Sequence, residues 1–187
     1  MSLSDESKRC FSERSIYLDR LKKSTPIGIF GSFYGPRKGD LISLKEYLLK
    51  AGYHPRISDD LDVRPEKERK SWDPVTDLNV SERLIAESDI HLFVLVHEKE
   101  NEPDNLMQSV SMEIERLHTL SECGKKTGKY VAVYAERGLI GTMGSVCDGL
   151  LLLKHGDWNV EEFDEIHEIF KPARQFCMNC ILDMYGY

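Results

Sequence analysis

The feature that most constrains the fold is a repeated alternation between short apolar runs and amphipathic segments. The clearest run, Ile90–Val96, consists of branched and aromatic apolar residues, as expected for a strand covered on both faces. Further runs occupy Ile27–Phe33 and Lys129–Ala135, with shorter ones at Tyr53–Ser58 and Leu150–Lys154. Strands that alternate with helices in this way favour a parallel sheet joined by right-handed crossovers.

The five runs predict an α/β fold with a five-stranded parallel sheet and helices on both faces. The expected strand order is 2-1-3-4-5, as in flavodoxin-like proteins, and another small Rossmann-like order is the alternative. Pro55 favours an edge position for the second strand. A final helix is expected over Val160–Met184, kinked or divided at Pro172. We expect an N-terminal helical arm over residues 1–24, or a flexible appendage there, and a single α/β domain over residues 25–187.

Composition argues against several classes of function. The 187-residue chain carries a net charge of −7, whereas general nucleic-acid binding calls for a basic surface. No apolar run is long enough to span a bilayer, and the N-terminal sequence lacks the apolar segment of a secretory signal. Five cysteines, an odd number, fit reduced thiols in the cytoplasm. We therefore expect a cytoplasmic protein with neither nucleic-acid nor membrane partners.

One acidic residue, Glu113, falls within the apolar stripe of a predicted helix. That helix is expected to open near Ser109, and at about 100° per residue Glu113 shares a face with Val110 and Ile114. This would place a carboxylate in the first turn, just past the carboxyl end of a central strand, where open α/β sheets bind ligands. The helix macrodipole also favours acids in a first turn, and many of these point to solvent. A functional carboxylate and a solvated first-turn acid both fit the pattern.

The turn after the first strand, residues 31–39, contains three glycines together with Arg37 and Lys38. Backbone N–H groups and a helix N-terminus both favour an anion, so this turn could hold phosphate or ribose. Its sequence is neither a P-loop nor the dinucleotide-binding fingerprint, and glycine-containing turns without a ligand are common. Asp40 is expected to cap the helix that follows.

Acidic residues follow the second strand at Asp59, Asp60 and Asp62. At the carboxyl end of a strand these side chains are candidates for contacts with ribose hydroxyls or a base edge, and a solvated turn is the alternative. The polar segment of residues 62–79 predicts a surface excursion, with Trp72 placed over the site.

Two further motifs have simpler explanations. The glycines of Gly138–Gly149 resemble an anion-binding nest, although a mobile connection without a ligand is favoured. Cys177 and Cys180 form a CxxC pair on the apolar stripe of the last helix, which favours core packing, because a zinc site needs four ligands. We find no motif for a cofactor or metal site and expect neither.

Several motifs follow one another in a distinctive order. A strand ends in Gly31-Ser32-Phe33, a helix ends in Ala51-Gly52, acids follow the second strand, Asp89 precedes the third, and a glutamate lies early in the next helix. Over roughly residues 26–135 this order resembles the nucleoside 2-deoxyribosyltransferase-like proteins, and Toll/interleukin-receptor (TIR) domains share much of it. The Asp-Gly-Thr-like residues of the transferases and the Trp-Cys pair of TIR domains are replaced here by Met107–Met112.

In both groups a glutamate on the helix after the third strand acts on an N-glycosidic bond. The resemblance therefore implies that Glu113 is the catalytic nucleophile of a transferase or hydrolase for a nucleoside or nucleotide. Gly31 and Ser32 match the family's first-loop position, and Asp89 matches the acid before the third strand. Together with the residues described above, the expected substrate-binding set is Gly31, Ser32, Phe33, Arg37, Lys38, Asp59, Asp60 and Asp89.

Two other functions fit the same sequence. One is a noncatalytic nucleotide-binding or signalling module, since fold does not imply function. The residues that replace the family pattern before Glu113 favour this module. The other is a protein-interaction domain that uses the charged N-terminal arm and the C-terminal helix. A small nucleoside or nucleotide is the expected partner of the enzyme and of the module, and a homo-oligomer is compatible with each.

Overall fold

The computed structural model describes residues 5–31, 37–65, 73–97, 105–125, 129–142, 145–154 and 158–186. Trp72 lies outside these ranges. A 3-10 turn, Ile166–Ile169, precedes the last helix. The helices and strands are α1 Asp5–Ser24, β1 Pro26–Gly31, α2 Arg37–Lys50, β2 His54–Arg56, α3 Ser58–Leu61, α4 Pro74–Glu87, β3 Ile90–Leu95, α5 Asn105–Glu122, β4 Val131–Glu136, α6 Ser145–Lys154, β5 Asn159–Phe163 and α7 Phe170–Met184.

The sheet has the predicted class and order. All five strands pair in parallel, in the order β2-β1-β3-β4-β5. Pro55 lies in β2 at one edge, as predicted, and β5 forms the other edge. Because successive strand residues point to opposite faces, Ile29 enters one core and its neighbour Phe30 enters the other.

Helices cover the two faces of the sheet separately. On one face, α2 and α7 bury residues such as Leu44 and Ile181. On the other face, α4, α5 and α6 bury residues such as Ile85 and Ile114. The predicted N-terminal helix is present as α1, and it contributes Leu21 to the first core.

The prediction for the C-terminal third was wrong in its element boundaries. Leu150–Lys154, expected to be a strand, belongs to α6, and the fifth strand is Asn159–Phe163, where a helix was expected. A short apolar run cannot by itself distinguish a buried strand from a helix. Pro172 lies in the first turn of α7, where backbone N–H groups have no intrahelical acceptor, so it causes no kink within the helix.

Three helices begin earlier in the chain than predicted. Helix α2 already includes Arg37, and α5 already includes Asn105, four residues before Ser109. Helix α4, which the sequence predicts only over Ser81–Glu87, begins at Pro74, because the Asp73 carboxylate caps it by accepting the Thr76 N–H. Within the described part of the chain, no helix has the length and apolar character needed to cross a membrane.

Candidate functional site

The strand order places a topological switch point at the carboxyl edge of the sheet, between the ends of β1 and β3, and we call this region the crevice. Strands β1 and β3 are neighbours, but the helix that follows β1 covers one face and the helix that follows β3 covers the other. At such a switch point the two connections diverge, which leaves the space where open α/β sheets bind ligands. The candidate site is therefore built around the ends of β1 and β3.

Gly31 ends β1 at this crevice and lies close to its neighbours. A Cβ at this position would be 2.8 Å from the Val94 carbonyl oxygen and 2.9 Å from a methyl carbon of Leu41. The Val94 oxygen belongs to the backbone of β3 and cannot move aside independently of the strand. Gly31 thus allows the chain to leave β1 without a steric conflict.

Arg37 connects the start of α2 to the end of β4. Its Nη2 lies 3.2 Å from Oε2 of Glu136, and its Nη1 donates to Asp40 over 3.4 Å. Glu136 also accepts the backbone N–H of His97, two residues after the end of β3, over 2.7 Å. The buried Nε–H of Arg37 has no hydrogen-bond partner among the described residues. The two ion pairs therefore hold the guanidinium in place.

The predicted residues Lys38, Asp59 and Asp60 all form ion pairs, that of Asp60 with Lys45, which was not predicted. Lys38 forms an ion pair with Asp59, with 2.5 Å between Nζ and Oδ2, and Lys45 forms one of the same length with Asp60. Asp60 also accepts the Ile57 N–H and so closes the first turn of α3. These carboxylates neutralise the two lysines locally, so the first half of α2 is less positive than its sequence suggests.

Glu113 lies between helices α4 and α5. Position 113 is eight residues beyond Asn105, about 12 Å along the helix at a rise of 1.5 Å per residue. The prediction that it lies in the first turn was therefore wrong, because α5 starts one turn earlier than its sequence indicated. Its Oε1 accepts a hydrogen bond of 2.5 Å from the Ser81 hydroxyl of α4. The side chain is partly buried and turned toward the neighbouring helix.

The environment of Glu113 favours its neutral form. Burial raises the pKa of this carboxyl group to about 7, and the Ser81 hydrogen bond acts in the opposite direction, because it stabilises the ionised form. The macrodipole contributes little this far from the helix N-terminus, since its effect falls off within the first turn. At neutral pH the group is therefore divided between its carboxylate and carboxylic acid forms.

The remaining predicted site residues are not all brought together. Asp89 directly precedes β3 and its N–H donates to the Pro26 carbonyl, which places it at the amino edge of the sheet. With about 3.3 Å per residue over a six-residue strand, that edge is roughly 20 Å from the crevice. Gly31, Arg37, Lys38 and the acids of α3 lie at or near the carboxyl edge, while Ser32 and Phe33 lie outside the described residues.

Sequence reasoning missed three residues of this region. Glu136 and His97 were not selected, although Glu136 ends β4 and His97 lies two residues beyond β3, and a position at the carboxyl end of a strand is the signal that selected the acids after β2. Ser81 was assigned only to a helix, and its contact with Glu113 depends on how α4 and α5 pack. No spacing in the sequence indicates that contact.

The glycine segment after β4 is occupied by the protein's own carboxylates. Glu162 accepts the Gly138 N–H over 3.1 Å, and Asp148 accepts the Gly141 N–H over 2.7 Å. Backbone donors with internal acceptors have a structural role, which favours the simpler explanation of this segment.

The CxxC pair is part of the hydrophobic core. Cys177 and Cys180 of α7 are buried with residues such as Ile181, and burial raises the pKa of both thiols. The prediction of core packing is thereby confirmed. No group of three or more His, Cys, Asp or Glu side chains suitable for a metal ion occurs in the described ranges.

No protein-family model matches the sequence, and no curated protein matches it either. Among solved structures, the chain is similar to the 2-deoxyribosyltransferase of Bacillus psychrosaccharolyticus, with 13% identity over 78% of this chain and 90% of that chain and a TM-score of 0.47. It is similar to the TIR domains of the activated Roq1 resistosome, which recognises the effector XopQ, with 13% identity over 84% of each chain and a TM-score of 0.43.

A third similarity is to FerB, a flavoenzyme NAD(P)H:acceptor oxidoreductase of Paracoccus denitrificans, with 13% identity over 86% of this chain and 98% of that chain and a TM-score of 0.45. The transferase and the TIR domains represent the two groups that the sequence pattern resembles. At this identity the similarities concern the fold and transfer no activity, substrate or partner to this chain. The chain is an α/β protein with a parallel sheet of order 2-1-3-4-5.

Proposed function

We propose that the protein binds a nucleoside or nucleotide at the carboxyl edge of its sheet and cleaves or transfers its N-glycosidic bond with Glu113. The observation that carries this proposal is the environment of Glu113: a partly buried carboxyl group with a pKa of about 7, whose one hydrogen-bond partner within the described ranges is a hydroxyl. Perturbed carboxyl groups of this kind are concentrated at functional sites. Half of the molecules would carry the reactive carboxylate at pH 7.

The chemistry follows that of retaining glycoside cleavage. A carboxylate oxygen of Glu113 bonds to the anomeric carbon as the C–N bond to the base breaks. The base leaves with the electron pair of that bond: the base of a neutral nucleoside takes a proton from water, whereas the cationic nicotinamide of NAD leaves neutral without one. The oxygen of a second water, or a nitrogen of a second base, then attacks the anomeric carbon. This step releases Glu113 as a carboxylate and frees a proton from the attacking group.

The residues at the crevice supply groups suited to binding. The Nε–H of Arg37 can donate to a ribose or phosphate oxygen, and the Glu136 carboxylate can accept from a hydroxyl. On the side of α3, Lys38 can donate a hydrogen bond, and Asp59 and Asp60 can each accept one. Gly31, Ser32 and Phe33 complete the proposed binding set, as the family resemblance implies.

Base release tests the proposal. Free base is measured by chromatography from deoxynucleosides and from NAD, with wild type, Glu113→Gln and the control Glu115→Gln, which changes a glutamate two residues further along α5. Glu113→Gln should lower the rate at least ~100-fold, since it removes a positioned catalytic group, and Glu115→Gln should leave it unchanged. Equal rates in Glu113→Gln and wild type would remove Glu113 from the mechanism.

A noncatalytic nucleotide-binding module is the second candidate. The position of Glu113 favours it, because the side chain is tied to α4 more than two turns from the start of α5. In that case wild type releases no base, while a nucleoside, nucleotide or NAD still raises the melting temperature as its concentration increases. A thermal-shift series run beside the base-release assay separates the two functions.

A further inference from the structure

The contact between Ser81 and Glu113 joins two helices that are far apart in the sequence. Ser81 lies in the second half of α4, and Glu113 lies near the middle of α5, 32 residues later. Both side chains are partly buried where the two helices pack. The hydroxyl donates to one oxygen only, Oε1, over 2.5 Å. No other described residue forms a hydrogen bond with this carboxyl group.

Charged groups near this contact are engaged elsewhere. On the exposed side of the same two helices, Glu82 pairs with Arg116 over 3.1 Å. Asp77, one turn before Ser81, pairs with Arg64 over 2.7 Å. On β3, the His91 ring contacts the Ile85 carbonyl oxygen. Toward α6, the negative charges of Glu115 and Asp148 raise the pKa of the Cys147 thiol. Among the described residues, burial and the Ser81 hydroxyl account for the shifted pKa of Glu113.

We propose that Ser81 is a positioning residue, which holds one carboxylate oxygen of Glu113 and leaves the other to react. A carboxylate has two oxygens, and a donor fixed on one of them restricts rotation about the terminal side-chain bond. The same donor stabilises the negative charge, because hydrogen bonds to ionised groups are stronger than neutral ones. This assignment rests on the proposed function for its role in turnover, but not for its effect on Glu113.

The ionisation of Glu113 provides a test that needs no activity. Its carboxyl carbon is followed by NMR between pH 4 and 10 in wild type, Ser81→Ala, Ser81→Thr and Ser43→Ala. Ser81→Ala should raise the pKa by about one unit, because the hydrogen bond to the charged form is lost. Ser81→Thr keeps a hydroxyl, so the pKa of Glu113 should stay close to its value in the wild type. Ser43→Ala removes an exposed helix hydroxyl that donates to a backbone carbonyl, and it should have no effect.

Turnover provides the second measurement. If the pKa rises from about 7 to about 8, the ionised fraction at pH 7 falls from one half to about one in eleven, so kcat should fall about fivefold. KM should stay nearly constant, because Ser81 contacts Glu113 and not the substrate. Most of the lost rate should return at pH 9, where the variant is ionised as well. A merely structural role would give no such recovery.

The outcomes separate this inference from the proposed function. An unchanged titration of Glu113 in Ser81→Ala would overturn the inference, whether or not the protein releases base. A shifted titration in a protein that releases no base would sustain the control of Glu113 by Ser81 and reject the proposed function. If Ser81→Ala does not fold, Ser81→Cys, which keeps the shape with a weak donor, should show the same upward shift.

Discussion

The Arg37 guanidinium and the Glu136 carboxylate are joined across the end of β3, with 3.2 Å between Nη2 and Oε2, although 99 residues separate them. Their side chains are only 27% and 22% exposed. The same carboxylate holds the His97 N–H, so one group ties together α2, β3 and β4 at the crevice. This tie determines the shape of the candidate binding region.

Removing that carboxylate should lower stability. Glu136→Ala leaves the Arg37 guanidinium and the His97 N–H without their shared acceptor, and we expect the free energy of unfolding to fall by about 1–3 kcal/mol. Urea unfolding measures the loss. Glu46→Ala, which removes an exposed partner of Lys50, is the matched control and should be nearly neutral. Equal effects of the two substitutions would show that the Glu136 contacts contribute nothing specific.

Stability should depend on pH through Glu113. Burial raises its pKa from 4.5 to about 7 in the folded protein, so the folded state binds more protons than the unfolded state between these values. The free energy of unfolding therefore falls as pH rises through this window. Glu113→Gln removes this dependence and should be more stable than wild type by roughly 1–3 kcal/mol at pH 8, with little difference at pH 4.

The comparison is made by urea unfolding at matched pH values. Carboxyl groups with lowered pKa, such as that of Asp164, act with the opposite sign, but they are present in both proteins and cancel in the difference. If the difference in the free energy of unfolding between the two proteins stays constant from pH 4 to pH 8, the pKa of Glu113 is not raised.

Alanine substitutions at two glycines near the crevice should change stability in opposite directions. A methyl group at Gly31 would meet the β3 backbone at 2.8 Å, so Gly31→Ala should cost about 1–3 kcal/mol. Gly39 lies in α2 with open space around it, and Gly39→Ala should be stabilising by up to about 1 kcal/mol through helix propensity. Thermal melts of both variants measure the contrast, and a stable Gly31→Ala protein would show that β1 and β3 separate more easily than their contact indicates.

The thiols should differ in reactivity. Cys123 is exposed, whereas Cys147, Cys177 and Cys180 are buried. Since the thiolate is the reactive form, burial and raised pKa values protect the three buried thiols. Brief treatment with iodoacetamide, followed by peptide mass mapping, should, among these four cysteines, label Cys123 first and the buried three only in denaturant. Rapid native labelling of Cys180 would instead indicate that α7 opens readily.

The sheet was predictable because its signals are local and repeated. Ile90–Leu95 and Val131–Glu136 are strands within a residue or two of the expected positions, and alternation with helices implied parallel pairing. Helix boundaries were harder to predict from the sequence. The start of α4 depends on Asp73 and Pro74, inside a polar segment that was interpreted as a surface excursion. In the last third, the leucines of α6 carried no periodicity that separates helix from strand.

The candidate site was only partly predictable for a different reason. A residue that precedes a strand lies at the amino edge of the sheet, and one that follows a strand lies at the carboxyl edge. Asp89 precedes β3, so its place at the amino edge could be predicted. Contacts such as Arg37 with Glu136, or Ser81 with Glu113, depend on the packing of elements that are distant in sequence. No motif spacing in the sequence indicates these contacts, so only the structure could identify them.

The two outer strands restrict how copies of this protein can associate. At one edge, β2 is only three residues long and contains Pro55, which has no N–H to donate. At the other edge, β5 presents the exposed carboxylates of Glu161 and Glu162. Short strands, proline and charge each oppose the addition of a further strand from another molecule. The fold is thereby protected against edge-to-edge aggregation, and assembly through the helical faces is favoured over extension of the sheet.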